Sequence, residues 1–258
     1  MQKQNYEIYD TFDDGFWYVH TRRDLLNKLL KTHINKIDNE ILDLGCGTGF
    51  NYKTLNKYGK VTNLDYHIEP LRTCKRKGIP NIIKGDAQNL RFTNNSFDIV
   101  TAIELLEHLD DDEKAIKEIH RVLKNHGVFI FTVPAHKQLW SSDDILAEHK
   151  RRYSKKELKY KLNKYFKIRY ISQRYFLLFI PTVMVFIFQK FKLKKTKEKI
   201  NSLILTPKIL NNILKNIMSI ENFIISKSIR LPIGIGWVGV AMKTPDNSDT
   251  KEEENNGI

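Results

Sequence analysis

Short apolar runs alternate with longer amphipathic stretches along the first half of the chain. The runs are rich in β-branched residues and end at turn-forming residues, and they predict strands at 39–44, 60–65, 81–85, 97–103 and 127–133. The stretches between them predict helices at 50–58, 68–78 and 111–124, with Asp110 or Asp111 as the N-cap of the last one. This alternation predicts a doubly wound α/β sheet with ligands bound beyond the carboxyl ends of its parallel strands.

The pattern changes after residue 134, where the chain becomes rich in lysine. Ser154 and Glu157 have the spacing of a capping box and predict a helix to about Phe166, followed by strands at 167–173 and 236–243. The tail is polar and acidic, a composition typical of disorder. The predicted domains are a helical lid or flank at 1–38, a core at 39–173, a helical insertion at 174–235 between strands six and seven, the last strand at 236–243 and the tail at 244–258.

Residues 175–188 are almost entirely apolar, and a lysine-rich run at 190–199 follows them. Fourteen helical residues cover about 21 Å, which is short of the roughly 30 Å hydrocarbon core of a bilayer, and Pro181 interrupts the run. A core element and a monotopic or re-entrant attachment both remain open. An apolar helical stripe at 209–224 lies nearby, and we favour peripheral attachment to the cytosolic face of an anionic membrane.

The net charge of +13 is concentrated in one block, because residues 150–199 contain 17 Lys and Arg but only 2 Glu. Such a block favours an anionic partner, although lysines often only solvate a surface. The aromatic residues are not interleaved with the basic ones as in single-strand binders, which argues against nucleic acid. Cys46 and Cys74 have no metal or disulfide spacing, and the first residues contain no apolar leader. Both features predict a cytoplasmic location.

A glycine-rich turn at 45–49 follows the first predicted strand. Its glycines allow backbone N–H groups and a helix N-terminus to approach a ligand. Phe50 stands where the dinucleotide fingerprint needs its third glycine, so the spacing from Asp43 is D-x-G-x-G-x-G instead. Asp65 ends the next strand, where a carboxylate can accept hydrogen bonds from ribose hydroxyls, and Asp86 follows the third strand, where it can accept one from an adenine amino group.

Four segments in this order resemble the class I S-adenosylmethionine-dependent methyltransferases: LDLGCGTG, the strand end at Asp65, GDAQNLRFTNNSFDIV and IELLEHLDDDEKAIKEIHRVLKNHGVFIFTVP. The resemblance covers about 95 residues. It implies a seven-stranded Rossmann-like sheet with an antiparallel last strand, and S-adenosyl-L-methionine as the cofactor. The cofactor-binding residues that it implies are Asp43, Gly45, Cys46, Gly47, Gly49, Asp65, Tyr66, Asp86, Ala87 and Glu104.

Residues 16–26 and 134–154 resemble a methyltransferase subgroup that is often encoded beside glycosyltransferases. The second stretch follows strand five, where this fold usually places the acceptor. The predicted substrate-binding residues are Trp140, Arg151, Arg152 and Tyr153, and the candidate catalytic residues are His149, His136 and His108. The alternative that His149 and the arginines only pack and cap the next helix stays open.

Glu104, Glu107 and His108 have a spacing similar to that of ubiquinone-pathway O-methyltransferases, where these positions hold a divalent metal. The same residue pattern also occurs in methyltransferases without metal, in which the position of Glu104 faces the cofactor. No metal is therefore predicted, and these three residues remain weak candidates.

The sequence thus predicts a methyltransferase that O-methylates an amphipathic or lipid-linked, glycan-type acceptor at the cytosolic membrane face. Two alternatives remain: a quinone-pathway-like O- or C-methyltransferase, and a non-catalytic membrane-bound module that binds S-adenosylmethionine. Turnover to S-adenosylhomocysteine separates the enzymes from the module.

Overall fold

A computed structural model of the chain describes residues 16–191 and 207–244. Its seven strands are β1 (Asn39–Leu44), β2 (Gly59–Asp65), β3 (Ile82–Lys84), β4 (Phe97–Ile103), β5 (Leu123–Pro134), β6 (Phe166–Arg174) and β7 (Gly236–Lys243). They form one sheet in the order β3-β2-β1-β4-β5-β7-β6. Strands β1 to β5 are parallel, and β7 runs antiparallel to both β5 and β6. The predicted seven-stranded sheet with an antiparallel last strand is therefore confirmed.

The helices connect these strands and cover both faces of the sheet. They are α1 (Trp17–His33), α2 (Tyr52–Leu55), α3 (Ile68–Arg76), α4 (Asp112–Val122), α5 (Ser142–Leu146), α6 (Lys155–Asn163), α7 (Phe179–Phe191) and α8 (Lys208–Ser226). Two short 3₁₀ turns lie at Leu106–His108 and Lys137–Leu139. Helices α7 and α8 both lie between β6 and β7 in the chain.

Alternate residues of the central strands point to two separate cores. On one face Leu42, Val100 and Phe129 pack with residues of α4 and α6, and on the other Ile41, Ile99 and Ile130 pack with leucines of α1 and with Ile225 of α8. Neighbouring strand residues face opposite sides, so continuous apolar runs such as ILDL need cover on both faces. The glycine turn is consequently held at the edge of a rigid, fully covered sheet.

The predicted helix at 50–58 is wrong in extent, because the structure has only one turn, α2. The chain has to enter β2 at Gly59, where it passes directly against the start of β1. A Cβ atom at Gly59 would lie 2.0 Å from the backbone oxygen of Asn39. The side-chain amide of Asn39 also donates to the Tyr58 carbonyl at 2.8 Å. This close approach ends the helix early.

The predicted capping box at Ser154 is only half formed. The Ser154 hydroxyl accepts from the Glu157 amide at 3.2 Å, but the Glu157 carboxylate pairs with Lys137 at 2.8 Å. Helix α6 also ends at Asn163, because Phe166 already begins β6 and is buried there. A complete capping box occurs instead at Ser141 and Asp144.

Helix α8 packs against α1 through polar as well as apolar contacts. The Asn222 amide donates to the Thr21 carbonyl and to Asp24, both at 2.9 Å, and Asn211 accepts from the Trp17 amide at 2.8 Å. Trp17 itself packs with Met218 and Tyr175. The predicted flank at 1–38 therefore joins the body of the protein through α1, and its first residues lie outside the described part.

Helix α7 and the outer side of α8 expose large apolar side chains. The exposed residues include Ile180, Met184, Ile187, Ile209, Leu210, Ile213, Ile220 and Phe223. Among the helices that the structure describes, none is long and apolar enough to cross a bilayer. The lysine run from 192 onward and the predicted disordered tail beyond Thr244 lie outside the described residues.

Candidate active site

Three glycines with positive φ angles shape the loop after β1: Gly45 (66°), Gly47 (55°) and Gly49 (82°). A Cβ atom at Gly45 would lie 2.8 Å from Leu105 Cδ1, and one at Gly49 would lie 2.1 Å from Ile79 Cδ1. A Cβ atom at Gly47 would meet no described atom within 4 Å. Two glycines are thus needed to pack the loop, and the third borders open space that a ligand can fill.

Asp65, at the end of β2, holds this loop in place. One carboxylate oxygen accepts from the Gly47 amide and the other from the His67 amide, both at 2.9 Å. A carboxylate has about four lone-pair sites, so both oxygens can also accept hydrogen bonds from a bound ligand. Burial raises the pKa of Asp65.

Asp43 lies beneath the loop and is fully buried. It accepts from the Thr101 hydroxyl at 2.6 Å and from the Asn51 amide at 3.2 Å. Burial raises its pKa to about 6, although these hydrogen bonds lower it. Its contacts tie the end of β1 to Thr101 on β4 and to Asn51, two residues after the glycine loop.

The third acidic position lies at the end of β3, next to β2. The Gly85 amide donates to the Asp65 carbonyl at 3.0 Å, which brings Asp86 to the same edge of the sheet. Asp86 accepts from the Gln88 amide at 2.8 Å, and Ala87 beside it is buried. The Tyr66 ring is 64% exposed and is free to cover a planar ligand.

These residues fit S-adenosylmethionine by their chemistry. The open space at Gly47 admits a ligand against the backbone, and Asp65 retains acceptor capacity for a diol. An exposed aromatic ring at Tyr66 suits a purine, and the carboxylate of Asp86 suits an amino group. Cys46 is buried among Leu71, Cys74 and Ile79, so it contributes packing and its backbone to the loop.

The end of β4 carries two carboxyl groups with different surroundings. Glu104 has a positive φ of 54°, which is uncommon for a residue with a side chain. Burial alone would raise its pKa, but the Arg22 and Arg174 guanidinium groups hold it below its ordinary value. Glu107 is fully buried, and neither of its oxygens has a hydrogen-bond partner among the described residues. Burial, with Glu104 nearby, raises the pKa of Glu107.

The structure brings His108 and His149 together, with 4.7 Å between their ring centroids. His149 Nδ1 lies 2.9 Å from Asp144, which is buried and also accepts from Arg152 Nε at 2.8 Å. Burial opposes the ionisation of Asp144, but these two hydrogen bonds lower its pKa to about 2. Asp144 was not among the residues predicted from the sequence, although its capping-box spacing from Ser141 is a signal that could have identified it.

His136 lies away from this pair. Its ring is 3.2 Å from the Gln173 amide nitrogen and neighbours Trp237, and it lines a cleft of about 460 Å³ that Arg230 also borders. The structure thus separates the three histidines that the sequence analysis grouped as catalytic candidates. His108 and His149 form one cluster, and His136 belongs to another surface.

Arg151 and Tyr153, two of the predicted substrate-binding residues, are engaged by α4. Arg151 donates to Asp112 at 2.7 Å, and the Tyr153 hydroxyl donates to the other oxygen of Asp112 at 2.8 Å. Both side chains therefore bind the first turn of α4, and Tyr153 is fully buried there. Arg152 donates to Asp144 and to the Ala135 carbonyl, so it too supports the loop. Trp140 is 38% exposed and still has a face open to a ligand.

Residues 42–131 match the family model described as a methyltransferase domain. They form a methyltransferase domain. This assignment implies S-adenosylmethionine as the methyl donor, in agreement with the resemblance inferred from the sequence. The matched segment runs from β1 to β5 and contains the glycine loop, Asp65, Asp86 and the end of β4.

The methyltransferase domain also accounts for the similarity to curated proteins. The chain is 40% identical over 99 residues to the sterol 24-C-methyltransferase of Aspergillus fumigatus, covering 35% of this chain and 26% of that protein. It is 34% identical over 153 residues to the demethylmenaquinone methyltransferase of Staphylococcus epidermidis, covering 49% and 64%. The chain thus spans from about a quarter to less than two thirds of the length of these relatives.

Solved structures with the same fold cover most of the chain. A methyltransferase from Thermotoga maritima, described as a possible histamine N-methyltransferase, aligns with a TM-score of 0.58, 17% identity and coverage of 94% of this chain and 98% of that one. The [4+2]-cyclase SpnF aligns with a TM-score of 0.57 and 17% identity, covering 86% and 82%. At such identities the likeness shows the fold alone, and SpnF is described by a reaction other than methyl transfer.

Proposed function

We propose that this chain transfers a methyl group from S-adenosylmethionine to a hydroxyl group of an amphipathic or lipid-linked, glycan-type acceptor at the cytosolic face of a membrane. The main observation that supports methyl transfer is the glycine loop of the methyltransferase domain. This loop is open at Gly47 and is bordered by the buried Asp65. The cofactor supplies an activated methyl group when it is bound. The protein therefore mainly has to align the two reactants and exclude water.

The proposed roles of the chain's own residues follow from their places at the edge of the sheet. Asp65 and the loop amides hold the donor, and Asp86 and Tyr66 lie at its adenine ring. Glu104 lies at the end of β4 with Arg22 and Arg174 nearby, and we assign it to the donor side as well. We assign the acceptor hydroxyl to the neighbourhood of His108 and His149, because these rings lie beyond Glu104 at the same strand end.

Two observations support an acceptor with a large apolar part. Helices α7 and α8 expose apolar residues, including Ile180, Met184 and Ile213, that an amphipathic molecule or a membrane surface would cover. The names of three relatives also mention such acceptors: a sterol, a menaquinone precursor and a phytyl hydroquinone. The last two keep a quinone-type ring as the second candidate acceptor.

Calorimetric titration with S-adenosylmethionine tests the donor site. We expect Asp65→Ala to weaken binding by about 1 to 3 kcal/mol, the scale of hydrogen bonds to charged groups. Asp98→Ala is the matched control, because Asp98 also accepts from a backbone amide, that of Glu40, but does so at the opposite end of the sheet. Equal affinity of wild type and Asp65→Ala would remove Asp65 from the site.

Turnover to S-adenosylhomocysteine tests catalysis and the acceptor class. The protein is incubated with the labelled methyl donor and with membrane lipids, lipid-linked glycans or hydroquinones in separate reactions. Label in the glycan fraction supports the first proposal, and label in the hydroquinone supports the second. Tight donor binding without turnover on any fraction would instead favour the non-catalytic module.

A further inference from the structure

We infer that Glu107, His108 and His149 form a binding site for a divalent transition-metal ion of the zinc, iron or manganese type. One atom of each side chain can act as a ligand, and these three atoms all lie within 4.8 Å of one another. Two imidazoles and one carboxylate suit such ions, whereas magnesium prefers ligand sets made of oxygen alone. Metal–ligand bonds of roughly 2.0–2.2 Å place two ligand atoms at most about 4.4 Å apart, so side-chain rotations have to draw these atoms together around the ion.

Backbone hydrogen bonds bring the three residues together from two distant parts of the chain. Glu107 and His108 lie in the 3₁₀ turn after β4. The Lys150 amide donates to the Glu107 carbonyl at 2.7 Å, and the His149 amide donates to the Asp144 carbonyl at 2.8 Å. The site is therefore built on a fixed backbone and does not depend on two mobile surface loops meeting by chance.

Glu107 provides the second, independent observation. Its side chain is 0% exposed, and among the described residues neither oxygen receives a well-formed hydrogen bond, its polar neighbours being its own backbone amide and the Glu104 carboxyl. A buried carboxyl group without a donor is costly, since desolvation is not compensated. A cation between Glu107 and the two imidazoles would supply the missing partner.

Each imidazole is oriented by a hydrogen bond at one ring nitrogen. His149 Nδ1 donates to Asp144 at 2.9 Å, and Asp144 is fixed in turn by Arg152 Nε and by the Ser141 amide, both at 2.8 Å. The backbone carbonyl of Glu148 accepts from the His108 ring. Acceptors placed behind ligating histidines in this way set the tautomer and present the other nitrogen to the ion.

The site lies three residues beyond Glu104 at the carboxyl end of β4, beside the proposed methyl-transfer site. If that proposal holds, a cation here would lower the pKa of an acceptor hydroxyl and assist its deprotonation. This consequence rests on the proposed function. The binding of the metal itself does not, and it is measured on the protein without cofactor or acceptor.

The test is calorimetric titration of chelator-treated protein with Zn²⁺, Mn²⁺ and Mg²⁺ separately. We expect one Zn²⁺ or Mn²⁺ per chain, with Mg²⁺ at least tenfold weaker. Glu107→Gln and His149→Ala should each weaken Zn²⁺ binding by more than tenfold, and Asp144→Asn by about 10- to 100-fold. His126→Asn is the control, because His126 is an exposed histidine on β5 and asparagine tolerates its positive φ.

Thermal unfolding of the wild-type protein keeps the test decisive if a variant fails to fold. An ion that binds the folded state raises the melting temperature as its concentration increases. Absence of both the heat signal and the temperature shift would overturn the inference, as would unchanged Zn²⁺ affinity in folded Glu107→Gln. Mg²⁺ binding as tight as Zn²⁺ binding would also contradict it. Donor affinity, measured on the same samples, reports separately on the proposed function.

Discussion

Asp43 is a fully buried carboxyl group within the motif that the resemblance identified. The resemblance placed it around the cofactor, and the structure places it below the loop, bonded to Thr101 and Asn51. A fully buried carboxyl group resists ionisation, and this is why the pKa of Asp43 rises to about 6 from its ordinary 3.8. The raised pKa has a measurable consequence for stability.

We expect Asp43→Asn to change how the free energy of unfolding depends on pH. Between about pH 4 and pH 6 the unfolded chain releases the Asp43 proton before the folded protein does, so wild type loses stability as the pH rises. At about 1.4 kcal/mol per pKa unit the loss is on the order of 3 kcal/mol, and asparagine removes it. Urea unfolding of both proteins at pH 4, 5, 6 and 7 gives this difference. If the difference in unfolding free energy between wild type and Asp43→Asn does not vary with pH, the pKa of Asp43 is not raised in the folded protein.

Two glycines of the same loop should respond differently to alanine. Gly47→Ala puts a methyl group into open space, so we expect a stability loss of about 1 to 2 kcal/mol from its left-handed backbone and a clear loss of donor affinity. Gly49→Ala collides with the buried Ile79 and should destabilise the protein more. Thermal unfolding and calorimetry measure both effects. Equal losses of stability in the two variants, together with normal donor binding by Gly47→Ala, would show that the two glycines do not have different roles.

At the scale of elements, one buried carboxylate joins α8 to the turn between β6 and α7. Glu221 accepts from the amides of Tyr175 at 2.5 Å and Phe176 at 2.8 Å, and it is 2% exposed. The exit from β6 is thereby fixed against α8, and α7 begins four residues later. The apolar helix consequently starts from a defined position.

We expect Glu221→Ala to lower the free energy of unfolding by about 2 to 3 kcal/mol, because it leaves buried amide donors without an acceptor. Glu221→Gln keeps one acceptor oxygen and should lose less. Glu113→Ala, which breaks an exposed pair with Lys164, should cost less than Glu221→Ala. Urea unfolding of the three variants ranks them. An Ala variant as stable as wild type would exclude this role for Glu221.

At the scale of the whole molecule, the apolar surface of α7 bears on where the protein works. Ile180 and Met184 are 68% and 65% exposed and lie four residues apart, on one face of the helix. Burying one such side chain in an apolar phase gains about 1.5 to 3 kcal/mol. Together they give the proposed attachment a specific surface.

We expect wild-type protein to float with anionic liposomes and the Ile180→Asp/Met184→Asp variant to bind at least tenfold more weakly. The paired control is Ile37→Asp, since Ile37 is 74% exposed but lies in the loop before β1. High salt should also reduce binding, because the headgroup attraction is electrostatic. Wild-type protein that remains at the bottom of the gradient would show that the apolar surface serves another purpose.

The strands were predictable because their signal is local. The bounds predicted for 39–44, 97–103 and 236–243 agree residue for residue with β1, β4 and β7. Each run is apolar and ends at residues that favour turns, so neighbouring positions contain the whole signal. The glycine turn and the acids after β2 and β3 were visible for the same reason. The antiparallel direction of the last strand came from the resemblance to a family.

The amino-acid pattern alone was enough to predict the α/β sheet, the donor-binding motif and an apolar segment too short to span a membrane. Which distant side chains meet follows from the folded chain. Arg151 and Tyr153 turn to Asp112, and His149 turns to His108 and Asp144. About 40 positions of sequence separate Arg151 and Tyr153 from Asp112, and His149 from His108. Periodicity describes only near neighbours, and the path of the chain between β5 and β6 decides the rest.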